Sequence, residues 1–88
     1  MTKKISTQHK ATVFVRLKEG VLDPQGLTIK RALEDMGYKG IQEVRSGKFF
    51  EITLNSDGKQ ESERKVDEIC RKLLTNPVIE RYNFELEK

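Results

Sequence analysis

The sequence predicts an α+β fold: two helices on one face of a three- to four-stranded antiparallel sheet. Three observations carry that expectation. Apolar residues alternate with polar ones in 11–18, 41–55 and 78–87, the period of half-buried strands. Two segments between them repeat apolar residues at helical spacing. Gly37, Ser56-Asp57-Gly58 and Asn76-Pro77 punctuate the junctions with residues that stop helices or make turns.

The first strand is expected over Ala11–Lys18. Val13, Val15 and Leu17 face one way; Thr12, Phe14, Arg16 and Lys18 face the other. Phe14 is an aromatic on the face away from the expected core. The stretch Leu17–Gly26 then ends the strand, turns and caps a helix. Asp23 is an N-cap candidate, because its carboxylate can accept from the first unpaired amides of a helix. Pro24 falls at the first helical position, where its missing N–H costs nothing. Leu22 and Leu27 have the spacing of a hydrophobic staple. Gly26 stands where Glu or Gln would complete a capping box. It leaves backbone open to close approach by another chain, or is simply tolerated near a helix end.

Pro24–Met36 is the first helix, with Ile29, Ala32, Leu33 and Met36 as its buried stripe and Gly37 as its left-handed terminator. Ile41–Asn55 reads as one long strand or as a hairpin interrupted at Arg45-Ser46-Gly47-Lys48, where Gly47 makes a tight turn or a bulge. Phe50, Ile52 and Leu54 form one face of it. Phe49, like Phe14, is an aromatic on the polar face. The second helix runs to about Leu74 with Val66, Ile69, Cys70 and Leu73 at helical spacing, so Cys70 is expected as a small buried hydrophobe. Val78–Glu87 is the last strand, with Tyr82, Phe84 and Leu86 on one face and Ile79, Arg81, Asn83 and Glu85 on the other. The order is β-α-β-(β)-α-β, the split βαβ or ferredoxin-like arrangement. It leaves one sheet face uncovered, and Phe14, Phe49 and Ile79 mark that face as a candidate partner surface.

Eighty-eight residues allow one domain, expected over residues 11–88. Residues 1–10 form a polar leader with one strong hydrophobe, Ile5, expected to be a flexible extension. The net charge of +3 belongs to that leader, which holds Lys3, Lys4 and Lys10 and no acid. The 17 basic residues less those three leave 14 basic against 14 acidic side chains for residues 11–88. A folded part of zero net charge lacks the positive field that generic phosphate-backbone binding uses, so no nucleic-acid partner is expected. No apolar run approaches the length of a membrane span, and no secretory signal is expected.

Chemistry is sparse. The single cysteine, Cys70, cannot make an intramolecular disulfide, which fits a reducing compartment such as the cytoplasm. The single histidine, His9, sits in the leader, so neither a His/Cys metal site nor a Cys–His pair is expected. No P-loop, G-x-S-x-G or H-E-x-x-H occurs. Most carboxylates lie on expected solvent faces, and no catalytic, cofactor-binding or metal-binding residue is expected. Gly47–Ile52 resembles the glycine–aromatic strand of RNA-recognition motifs. There, however, Phe49 and Phe50 point to opposite faces, and Glu51 shares the candidate binding face. An acylphosphatase-like enzyme would share the fold class, but its arginine-bearing phosphate loop after the first strand is missing.

The chain resembles the PurS family, the small subunit of phosphoribosylformylglycinamidine synthase, from about Ala11 to Leu86. The resemblance rests on V-x-L-K-x-G-V-L-D-P-Q-G (Val15–Gly26), A-L-x-x-M-G (Ala32–Gly37), V-R-x-G-K (Val44–Lys48) and C-x-K-L-L-x-N-P-V-I-E (Cys70–Glu80). It implies a non-catalytic dimer or tetramer that joins a glutaminase subunit to a large ATP-dependent synthetase subunit and helps ammonia pass between them. ATP and Mg²⁺ are then expected in the synthetase, with none held by this chain. Phe14, Phe49 and Ile79 are candidates for self-contact; Asp23, Pro24, Gln25, Gly26, Gly47 and Lys48 are candidates for contact with the larger subunits. The alternative is a stand-alone ferredoxin-like binding module for RNA or a small regulatory ligand.

Overall fold

Alternation makes Ala11, Val13 and Val15 the inner row of the central strand, and all three are buried. The computed structural model describes residues 7–87. Its elements are β1 (Thr7–Leu17), α1 (Pro24–Asp35), β2 (Gly47–Ser56), α2 (Lys59–Ile69) and β3 (Glu80–Glu87), with a π-helical turn over Cys70–Leu74 continuing α2. The sheet is three-stranded and antiparallel in the order β2-β1-β3. Split βαβ connectivity therefore holds, with three strands among the described residues.

Val66 of α2 and Cys70 at the start of the π-helical turn close over the β1 row, and Phe50, Ile52 and Leu54 of β2 with Tyr82, Phe84 and Leu86 of β3 pack around them. Burying a side chain of this size contributes about 1.5–3 kcal/mol, so this thin core rests chiefly on β1 and α2. Two polar links fasten α2 to the strands: the Ser56 and Ser62 hydroxyls meet at 2.5 Å, and Tyr82 Oη donates to Asp67 Oδ1 at 2.5 Å. Burial, and then the nearby Asp67 charge, push the Cys70 thiol up. An aromatic disulfide reagent is expected to label Cys70 only at the rate of unfolding; fast labelling of the native chain would contradict this packing.

Three expectations are corrected. First, β1 begins at Thr7, so Thr7–Lys10 pair with β2 and His9 is a buried strand residue opposite Leu54. The period-two pattern runs back through His9, whose polarity hid it. The rest of the expected flexible leader, residues 1–6, lies outside the described residues. Second, Ile41–Asn55 is neither one strand nor a hairpin: 41–46 has no regular structure and β2 starts at Gly47. Gly47 is needed for close approach, since a Cβ there would stand 2.7 Å from the Val15 carbonyl oxygen.

Third, the two helices differ in how much they bury: α2 packs on all three strands, while α1 is tied to the Leu17 end of the sheet through the Ser46–Asp23 hydrogen bond. The stripe expected to be buried is largely exposed: Ile29 at 39% and Met36 at 70%. The radius of gyration is 18.0 Å, against about 12 Å for a compact chain of this length. Periodicity specified an apolar face without specifying what covers it.

Candidate subunit-contact surfaces

Asp23 organises the base of the projecting arm. Its Oδ1 accepts from the Gly26 amide at 3.0 Å, as an N-cap does, and from Ser46 Oγ at 2.8 Å. Its Oδ2 accepts from the Ser46 amide at 2.5 Å. One carboxylate thus ties the start of α1 to the residue before β2. Arg45 adds a brace, donating to the Val21 and Lys18 carbonyls at 3.3 Å each. Gly26 is buried against the other strut: a Cβ there would lie 2.2 Å from the Val44 carbonyl oxygen. The close approach expected at Gly26 is therefore made by the chain's own 41–46 segment. Leu22 and Leu27 stay 71% and 40% exposed, so the staple does not bury them.

The Ser46 amide first, then the Gly26 amide and the Ser46 hydroxyl, hold the Asp23 carboxyl below the ordinary carboxylate range. A depressed folded pKa gives stability that is complete above the unfolded pKa and lost as pH falls through the folded one. Asp23→Asn is therefore expected to melt lower than wild type by a constant margin above about pH 5, a margin that shrinks below about pH 4. A margin independent of pH in thermal melts would contradict the carboxylate's role.

On the face away from α2, Phe14 and Phe49 are register partners whose ring centroids lie 6.2 Å apart. They are 39% and 60% exposed and, with Arg16, Arg45, Ser46, Gly47, Lys48 and Asn83, line an open cleft of about 440 Å³. Ile79 does not join them. It lies in the turn that precedes β3, which starts at Glu80 and not at the expected Val78, and its carbonyl accepts from the Lys18 amide at 2.8 Å, beyond the Leu17–Glu80 end of the pairing. Gly47 lies on the open face beside Arg16, while Lys48 turns to the α2 side, 5.8 Å from the Phe50 ring centroid and 3.9 Å from Glu80. Pro24 and Gln25 are exposed on the first turn of α1. Sequence reasoning missed Ser46, Arg45 and Val44 as the arm's struts. Their only signal was the interruption of strand alternation at Arg45-Ser46.

Among the described residues, no group of three His, Cys, Asp or Glu is placed to hold a metal ion, and no helix is long and apolar enough to cross a membrane. The arrangement anchors backbone and presents apolar surface. It is a small split-βαβ domain with one helix on its sheet, one helix held out on an arm, and an open sheet face centred on two phenylalanines.

The chain belongs to the PurS family: the family model described as phosphoribosylformylglycinamidine (FGAM) synthase matches residues 10–88. The PurS subunit of Bacillus subtilis is 45% identical over 84 residues, covering 91% of this chain and 94% of the relative. That of Methanocaldococcus jannaschii is 42% identical over 80 residues, covering 91% and 96%. Its crystal structure superposes with a TM-score of 0.81. A chain in the PurLQS structure of Thermotoga maritima superposes with a TM-score of 0.84 at 30% identity, covering 92% of this chain and 99% of that one.

Proposed function

We propose that this chain is the small, non-catalytic subunit of a cytoplasmic FGAM synthase, joining a PurL-type synthetase to a PurQ-type glutaminase. The assembly converts formylglycinamide ribonucleotide, glutamine and ATP to formylglycinamidine ribonucleotide. The synthetase holds ATP and Mg²⁺, and the small subunit helps ammonia reach it. The observation that carries this reading is the likeness, over nearly the whole chain, to a protein solved as part of PurLQS. The projecting arm supports it: Pro24, Gln25, Ile29 and Met36 are exposed beside a junction fixed by Asp23 and Gly26. On this reading the arm and the nearby Gly47-Lys48 segment meet the larger subunits. Sedimentation of the chain with both should give one ternary species at glutamine-saturating conditions, and three independent sedimenting species would refute the role.

The open face carries self-contact. Phe14→Asp is expected to shift the isolated chain toward monomer, because sheets associate face to face through apolar side chains and a carboxylate there would be desolvated. An unchanged oligomer in sedimentation would refute this assignment.

A further inference from the structure

The charge pattern of the open sheet face fixes how a second copy sits on it. We infer that two copies pack these faces about a two-fold axis that runs across the strands at Phe14, so that Arg81 of each copy pairs with Glu85 of the other. This inference rests on the reading of the open face as the self-contact surface and adds its geometry. The register places Arg16 and Arg81 directly opposite each other, Phe14 between Phe49 and Asn83, and Thr12 between Glu51 and Glu85. Residues in register point to the same face. Along the strands the face is therefore doubly positive at one level, neutral and aromatic at the next, and doubly negative at the one after.

Two arginines opposite each other repel within a single sheet. Neither is ion-paired among the described residues, whereas Glu51 has Lys10 at 3.3 Å. Two face-to-face arrangements of the copies can be compared. A two-fold axis parallel to the strands puts arginine level on arginine level. The axis perpendicular to the strands reverses them, laying the level of Arg16 and Arg81 over the level of Glu51 and Glu85. Arg81 and Glu85 lie two residues either side of Asn83 on the same strand, so β3 stacks on β3 with both pairs formed at once. Phe14 meets Phe14 on the axis, and Arg16 falls over Thr12 between the two acids of the other copy. The interface is isologous and closed, so it ends at two copies. Only this occupant brings both halves of the pattern on the same surface.

Charge reversal tests it without threatening the fold. Arg81→Glu places a carboxylate opposite Arg16 in the same sheet, and Glu85→Arg lies opposite Thr12. Each single variant sets two like-charge pairs across the axis and is expected to weaken self-association at least tenfold in sedimentation equilibrium at low salt. The double variant Arg81→Glu/Glu85→Arg should regain wild-type association. An equimolar mixture of the two single variants should form heterodimers in native mass spectrometry, because that combination alone pairs every charge. Single variants that associate as wild type, a double variant that is not rescued, or a mixture without heterodimers would overturn the geometry. The subunit role is read separately, from glutamine-dependent amidation by the complex. Its persistence beside charge-indifferent association would overturn this inference alone.

Discussion

Gly26→Ala is expected to destabilise the chain by about 2 kcal/mol, although alanine is the better helix former. Two effects compete at this position. Removing a glycine from a helix gains roughly 0.5–1 kcal/mol, and less in the first turn. Against that, the new Cβ would stand 2.2 Å from the Val44 carbonyl oxygen and 2.8 Å from Asp23 Oδ2. The first neighbour is backbone, held by Ser46 on Asp23 and by Arg45 on Val21 and Lys18, so it cannot rotate aside. Overpacking of this kind costs typically 1–3 kcal/mol, and the clash wins. Denaturant unfolding should show a lower midpoint, and hydrogen exchange should speed in 41–46. A midpoint raised above wild type would mean that Val44 does not rest on Gly26 in solution.

Val66→Asp is expected to abolish the cooperative unfolding transition. Val66 is fully buried against Ala11, Val13 and Val15 at the contact of α2 with the sheet. An unpaired carboxylate there costs several kcal/mol, a large part of the 5–15 kcal/mol that holds a typical domain folded. The same change on the other helix, Ile29→Asp, should move stability by less than about 0.5 kcal/mol, because Ile29 is 39% exposed and α1 makes no sheet contact as extensive as that of α2. The contrast separates the two helices by experiment. Equal loss of folding from both substitutions, followed by circular dichroism, would show α1 lying on the sheet as α2 does.

That contrast also marks how far the sequence could be read. Order and type of elements were legible wherever periodicity and a stop signal agreed: Asp23-Pro24 opens α1, Gly37 takes positive φ just after it, and Cys70 is buried under α2. The strand faces were legible too, since Phe14 and Phe49 stand together on the side away from α2. What a face packs against was not, because the stripe of α1 and the stripe of α2 look alike as patterns. The difference lies in long-range contacts of Asp23 and Arg45 across more than 20 residues, which leave no local trace. The start of β1 was hidden by His9, polar in composition and buried in place. Alternation alone groups Ile79 with the phenylalanines; the structure puts it in the turn before β3, beyond the paired residues.

These features describe a subunit whose side chains pin backbone and offer surface.

The most direct test is to combine the purified synthetase and glutaminase subunits with formylglycinamide ribonucleotide, glutamine and ATP, with and without this chain. Glutamine-driven amidation that requires the chain, while amidation driven by added ammonium does not, is the result predicted. Glutamine-driven amidation at the same rate in its absence would contradict the account.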